Sequence, residues 1–436
     1  MKSKKLTIFL LLLLLLGGYA IYEFFIKEKP PLLVVESPIP ESPRETKKLR
    51  ASDKPKHSKN GDNPVKRDSL LRIAPADSAK SKVSGEQPLF TIKKDAGKSS
   101  YRGRRVNIAV IGVDARMGTG TKHADANHVV SILLDSGKIE IISIPRDTPA
   151  DAGFSDSNSL NKLTIVHANR GLRAYLSEAS RIAGVGKIDY YVEFGFSQAM
   201  GIIELLGHKD SKSTLQVLRS RQGLGGDDYQ RCYNQGQFIR QNILKNFGRA
   251  DGFFGEVFIR GGLLLVETNL TADNISQVVS QLKDKGFPRD STAITVRVRP
   301  SVGNKFKLYD FSDDNTIQTL KNKIERYNTS RQKKDSSYGK SPKPDVAAQL
   351  RKIITNARTD SAKYPKQVIR RLSSYFDQHA WLQISDRKQR ESVRADMESL
   401  LSSAYIKLNK PAEAEKIHAI INTEKQMFDH RDKTKH

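Results

Sequence analysis

The chain has 436 residues, with 74 Lys and Arg against 48 Asp and Glu, a net charge of +26 and one cysteine. At about 100–200 residues per domain, that length suits two or three domains with linkers. A single cysteine, Cys232, excludes an intramolecular disulfide framework and a multi-cysteine zinc or iron–sulfur site. The charge is uneven. Residues 27–105 carry 20 basic and 10 acidic side chains and residues 301–436 carry 28 and 17, whereas residues 106–300 carry 23 and 20. Basic ends around a near-neutral middle point to an anionic surface or polymer nearby, not to a reader of nucleic-acid grooves, and no nucleic-acid partner is expected.

Residues 1–5 form a short tail carrying Lys2, Lys4 and Lys5. An apolar run follows over residues 6–26, interrupted only by Glu23. It matches the ~20 residues needed to span a bilayer, and the lysines place the amino terminus in the cytoplasm. The competing reading is a signal peptide cleaved near Gly18-Tyr19-Ala20. The apolar run continues past that point through Ile26, so an uncleaved inner-membrane anchor with the main domain outside is expected. Residues 27–104 hold nine of the seventeen prolines and read as a disordered basic spacer. Pro88–Ile92 is one of the few stretches there that could be buried.

Order is predicted from Arg105. Strands are expected at Val106–Val113, His128–Leu134 and Lys138–Ile144, the last two joined by a tight turn at Asp135-Ser136-Gly137. A helix at Leu172–Ala183 and a strand at Ile188–Phe196 follow. A helix capped by Ser197 runs over Gln198–Leu206, then a strand over Thr214–Arg219 and a long helix over Tyr229–Phe247. The aromatics Tyr190, Tyr191, Phe194 and Phe196 read as core, and His123 as a loop histidine. A helix at Asp273–Leu282 and a strand at Ala293–Val298 would complete the domain. Alternating elements make the class α/β, and the hairpin makes the sheet mixed. Residues 301–344 read as a linker. Residues 345–436 read as a small basic helical region with one tetratricopeptide-like unit at Leu401–Ile420, either a solvated bundle or a dock for a protein partner.

Charged residues gather where these elements end. They are Asp114 and Arg116, then Asp125, then Arg146 and Asp147, then Arg219 and Arg221. Asp228, Arg231 and Gln235 recur at helical spacing on one face. Arginine offers a planar fork for phosphate oxygens, and paired aspartates suit a magnesium ion bridging to phosphate. No GxxxxGK[ST] loop is present.

Taken in order, Asn107–Arg116 (NIAVIGVDAR), Ile142–Thr148 (ISIPRDT), Lys187–Phe196 (KIDYYVEFGF) and Arg219–Gln235 (RSRQGLGGDDYQRCYNQ) resemble the LytR–CpsA–Psr (LCP) family. The resemblance implies a three-layer α-β-α domain over residues 105–300 with a mixed central sheet. It also implies an extracytoplasmic phosphotransferase that moves a glycopolymer from a polyprenyl-pyrophosphate carrier to a hydroxyl of peptidoglycan. Asp114 and Asp125 would hold Mg2+ or Mn2+. Arg116, Arg146, Arg219, Arg221, Arg231 and Gln235 would bind the pyrophosphate. Asp228 would orient or deprotonate the attacking hydroxyl, Asp147 would orient Arg146, and the prenyl chain would occupy an apolar channel. The chain departs from the family pattern at His123, Thr164 and Asn234. The alternative is a non-catalytic envelope protein that binds and tethers anionic glycopolymer or a lipid-linked pyrophosphate.

Overall fold

The computed structural model describes residues 87–91 and 101–433, apart from 116, 121, 156–159, 251–258, 304 and 335–344. The apolar run 6–26 lies outside these residues. Among the described residues no helix is long and apolar enough to cross a membrane.

Six strands form the main sheet: β2 (Arg105–Val113), β3 (Ala124–Leu133), β4 (Lys138–Ile144), β5 (Tyr190–Phe194), β6 (Glu267–Thr268) and β7 (Ile294–Val298), in the order β6-β5-β2-β3-β4-β7. Neighbouring β2, β3 and β4 run antiparallel, whereas β5 lies parallel to β2 and β7 parallel to β4, so the sheet is mixed as predicted. Alternation along β2 buries Asn107, Ala109, Ile111 and Val113 on one face and leaves Val110 and Gly112 half-buried on the other.

The first face is covered by α1 (Leu163–Ala183), whose Val166, Tyr175 and Ala179 pack on Ala109, Ile111 and Ile142. The other face carries α4 (Asp228–Asn246) and α5 (Ala272–Asp284), which meet Val130, Ile132 and Ile141. Beside them α2 (Phe196–Leu205), α3 (Ser211–Arg219) and α6 (Asp314–Lys334) share a cluster around Leu218, Phe238, Ile317 and Phe311. The result is three layers, α-β-α.

The structure differs from the sequence expectations in several places. Thr214–Arg219 is helical, not a strand. Asp210 caps α3 by accepting from the Ser213 amide, and the helical period buries Thr214, Leu215 and Leu218 together, which outweighs the β-branched Thr214 and Val217. Helix α1 begins at Leu163, with the predicted Leu172–Ala183 its second half, after a break at Gly171. Helix α2 is capped at Gly195, not Ser197, with the Gln198 side chain accepting from the Gly195 amide.

The supposed linker 301–344 contains β8 (Lys305–Leu308) and α6, and the supposed spacer contains β1 (Gln87–Thr91), which pairs antiparallel with β8. That pairing joins segments more than two hundred residues apart, beyond the reach of any local pattern.

Four further helices follow: α7 (Val346–Asp360), α8 (Pro365–Asp377), α9 (Arg387–Lys407) and α10 (Pro411–Lys433). A short 3-10 turn, Ala380–Gln383, precedes α9. Their core includes Leu350, Leu372, Trp381 and Met397, and it also takes in Leu205 of α2 and Leu265. The helical region is therefore not a bundle standing free in solvent. It packs on the α/β domain of its own chain, with the Leu382 side chain so close to Gly201 that a Cβ there would lie 2.7 Å from it.

Candidate active site

The site forms where β2, β3, β4 and α4 end together. On β3 the register against β2 shifts between Gly112 and Val113, which leaves Asp125 as an extra, bulged residue. Without the bulge Asp125 would follow Asn127 toward α1, where Asn127 accepts from the Tyr175 hydroxyl. A bulge re-aims a side chain in this way. Asp125 instead lines the opposite side with Ala126 and His128. Asp114 lies across the hairpin, its amide donating to the His123 carbonyl at 2.8 Å.

Arg146 follows β4. The first amides of α1 hold its loop, Leu163 donating to the Thr148 carbonyl and Thr164 to the Arg146 carbonyl at 3.0 Å. Thr164 thus serves the loop through its backbone. The Arg146 guanidinium reaches Asp125 at 2.6 Å, with Asp147 farther off at 3.7 Å. Asp125 is therefore its closer partner, where the sequence reading named Asp147. Burial opposes the charge on Arg146, but the hydrogen bond to Asp125 and the nearby Asp147 and Asp228 hold its pKa above the ordinary value.

Asp227 caps α4, accepting from the amides of Tyr229 and Gln230, and this places Asp228 in the first turn. Asp228 forms ion pairs with Arg231 at 2.6 Å and with Arg221 at 3.3 Å, and its other oxygen accepts from the Arg146 amide at 3.2 Å. Arg231 also donates to the Asp125 carbonyl at 3.3 Å. Burial pulls the Arg231 pKa below its usual value, Asp228 opposes this, and the neighbouring Arg221 and Arg146 add to it.

Arg219 and Arg221 do not share a strand face. Arg219 ends α3 and its guanidinium lies over the Phe196 ring at 5.1 Å, whereas Arg221 turns to Asp228. Arg116 lies outside the described residues. Asn234, the third departure, points away from the arginines, where it accepts from Gln230 beneath β8.

Behind these charges opens a cavity of about 480 Å³. Asp114, Asp125, Arg219, Arg231 and Gln235 stand among its lining residues, and its walls are apolar: Val110, Val192, Ile202, Leu215, Phe238 and Ile243 among them. It follows α4 from Arg231 to Asn246, about 22 Å at 1.5 Å per residue. Phe194 and Phe196, read from sequence as core, belong to this wall. The sequence signal for the lining is the apolar run of α2, Ala199, Met200, Ile202, Ile203 and Leu205, of which Ala199, Ile202 and Ile203 face the cavity.

His128, which the sequence reading did not single out, lies at the cavity floor, bonded to the Ser143 hydroxyl at 2.9 Å and to Gln235. Gln235 donates through Nε2 to the Leu218 carbonyl, which leaves its oxygen to accept from the imidazole. Burial pushes the His128 pKa down to about 4, against the Gln235 hydrogen bond and with help from the Arg231 charge. A histidine depressed from 6.5 contributes stability that is complete above the unfolded value and lost as pH falls toward the folded one. Between pH 7 and pH 5 the wild type is expected to lose about 2 kcal/mol more than His128→Gln in urea unfolding. Equal losses would mean that the ring is not held neutral.

Asp114 and Asp125 supply hard carboxylate oxygens without a third protein carboxylate; among the described residues no group of three His, Cys, Asp or Glu side chains is arranged to hold a metal ion. Two carboxylates completed by phosphate oxygens and water are a donor set that magnesium accepts. The residues fit the ion in that sense.

The LytR_cpsA_psr family matches residues 74–208, about a third of the chain, ending before the segment that carries Arg219 to Gln235. No curated protein matches the chain. Among solved structures, Bacillus subtilis TagV is 15% identical, covering 52% of this chain and 98% of its own, with a TM-score of 0.37. A structure described as a transcriptional regulator from Enterococcus faecalis is 16% identical over 53% and 93%, with a TM-score of 0.36. A structure of TagT bound to LI-WTA is 14% identical over 54% and 98%, with a TM-score of 0.33.

Proposed function

Because residues 74–208 match the LytR–CpsA–Psr family, we propose that this chain transfers a glycopolymer from a polyprenyl-pyrophosphate carrier to a peptidoglycan hydroxyl. We place the reaction outside the inner membrane, with residues 6–26 as the anchor. One observation carries the reading: a cluster of arginines and aspartates opens directly onto a long apolar cavity. A ligand with a phosphate head and a hydrocarbon tail fits both parts, whereas a soluble nucleotide would leave the apolar cavity unused and a plain lipid would leave the arginines unused.

In the proposed reaction the hydroxyl oxygen attacks the phosphorus next to the saccharide. A new P–O bond forms, the bond to the bridging oxygen breaks, and polyprenyl phosphate leaves. Such transfer depends on alignment and charge neutralisation. Arg146, Arg221 and Arg231 supply fixed positive charge, and Arg219 closes the mouth over Phe196. Asp228 is surrounded by donors, so its partners support an orienting role: it holds Arg231 and Arg221 in place. Asp147 is 41% exposed, against 23% for Asp125 and 16% for Asp228. Its exposure leaves it open to an incoming hydroxyl, and we assign it the proton, with Arg146 at 3.7 Å and Lys162 at 3.6 Å beside it. A divalent cation on Asp114 and Asp125 would supply further charge neutralisation at the pyrophosphate.

The test uses the full chain in detergent with a labelled polyprenyl-pyrophosphate saccharide, peptidoglycan fragments and Mg2+, following release of polyprenyl phosphate. Ala199→Trp, which narrows the cavity at an apolar lining position, is expected to raise KM for the lipid donor about tenfold with kcat largely kept, since it removes binding made equally in ground and transition states. Binding of the donor without release would instead support the tethering reading.

A further inference from the structure

The loop between β2 and β3 carries Asp114 at one end and leads to Asp125 at the other. It is gripped from two sides. Lys122 lies 2.8 Å from Glu193 on β5 and 2.8 Å from Glu267 on β6. The middle of the loop is held by the helical region instead. Gln378, at the end of α8, accepts from the Gly118 amide at 2.9 Å through its oxygen and donates to the Thr119 carbonyl at 2.8 Å through its nitrogen. Gly118 has φ 78°, and a Cβ there would lie 2.5 Å from the Tyr375 hydroxyl, so only glycine allows the helical region this close. Met117 packs against the core of that region.

The same contact surface reaches the rim of the cavity. Gln198 donates to the Asp377 carbonyl at 3.4 Å while its oxygen caps Gly195, a lining residue. Gln383 donates to Ser197, and Arg390 pairs with Glu204 at 2.8 Å. The helical region thus touches both backbone segments that frame the mouth.

We propose that Gln378 is a positioning residue for the transfer site: its carboxamide fixes the backbone at Gly118 and Thr119 so that Asp114 is held where, with Asp125, it would take the divalent cation that neutralises the pyrophosphate. This rests on the transferase reading for its chemical purpose. The choice of glutamine follows from the geometry, because a primary amide offers one acceptor and one donor to a peptide unit and its neighbour. Glutamate keeps the acceptor for Gly118 and loses the donor for Thr119. Alanine loses both.

The experiment compares the full-length wild type, Gln378→Ala, Gln378→Glu and, as a control, Arg358→Ala, which breaks an ion pair with Asp396 between α7 and α9. Amide hydrogen exchange is read at Gly118, inorganic pyrophosphate affinity in Mg2+ by calorimetry, and turnover with the lipid donor. Gln378→Ala is expected to speed exchange at Gly118 by about tenfold and to weaken pyrophosphate by about tenfold, the scale of one lost hydrogen bond. Gln378→Glu should keep Gly118 protected and lie between alanine and wild type in affinity. Arg358→Ala should match wild type throughout. For turnover, Gln378→Ala should lower kcat with little change in KM for the lipid donor, since the prenyl wall is untouched. Unchanged exchange at Gly118, or faster exchange with unchanged pyrophosphate affinity, would overturn the proposal. Absence of turnover in wild type would count against the transferase reading, while exchange and pyrophosphate affinity would still judge Gln378.

Discussion

Replacing Arg231 with alanine should slow release of polyprenyl phosphate by about 10²–10³-fold, the range for removing one preorganised donor at a developing charge. Its side chain is only 8% exposed and joins the first turn of α4 to the start of β3, reaching Asp228 at 2.6 Å and the Asp125 carbonyl at 3.3 Å. Removing one member of a buried pair is also costly for the fold, about 3–5 kcal/mol. The low end applies here, because Asp228 keeps Arg221 and the Arg146 amide. Arg231→Lys separates the two effects. Both contacts run from one guanidinium nitrogen; lysine keeps the charge but loses the planar fork that could also grip two phosphate oxygens. It should recover most of the stability in urea unfolding while turnover stays about tenfold or more below wild type. A folded Arg231→Ala protein with near wild-type turnover would remove this arginine from the site.

The second large effect is expected at Trp381→Ala, at about 4–5 kcal/mol in urea unfolding, from a cavity left by an aromatic side chain and a lost hydrogen bond. Trp381 is fully buried, with its ring 5.3 Å from Phe376 and its indole N–H donating to Glu424 at 2.9 Å. Glu424 is itself fully buried and also accepts from His379 and Arg394, each at 2.9 Å. Burial opposes its charge, but His379, Arg394 and Trp381 hold its pKa below the usual range. Alanine would leave an acceptor short of one donor inside an apolar cluster, where unpaired polar groups are expensive. Trp381→Phe keeps most of the volume and loses the N–H, so about 1–2 kcal/mol is expected. Since total stabilities are about 5–15 kcal/mol, the alanine variant should be near its unfolding threshold at 25 °C. A loss as small as that of an exposed residue would show that the helical region is not built around this ring.

Much of the site was legible because it rests on local patterns. The alternation of β2, the hairpin β3–β4 and the 3,4 spacing of Asp228, Arg231 and Gln235 each lie within one element or one turn, where side-chain direction follows from position. The error at α3 has the same origin. Thr214–Arg219 is short enough to read as either element, and the deciding facts were the Asp210 cap and the burial of Leu215 and Leu218 against α6. Phe194 and Phe196 were apolar enough for a core, and composition does not distinguish a wall facing a cavity from one facing a neighbour.

The sequence alone determined five of the six strands of the central sheet, the helical character of residues 345–430, and the arginines and aspartates Asp125, Arg146, Arg221, Asp228 and Arg231 that come together, because hydrophobic period and charge placement are local properties of the chain. Only the tertiary structure decided which of them touch. The bulge that turns Asp125 into the mouth depends on register against β2. The pairing of β1 with β8 and the reach of Gln378 to Thr119, 259 positions away, depend on chain segments that share no local pattern. The cavity is lined by six elements, β2, β3, β5, α2, α3 and α4, and a space between elements is a property of their packing that no single segment encodes.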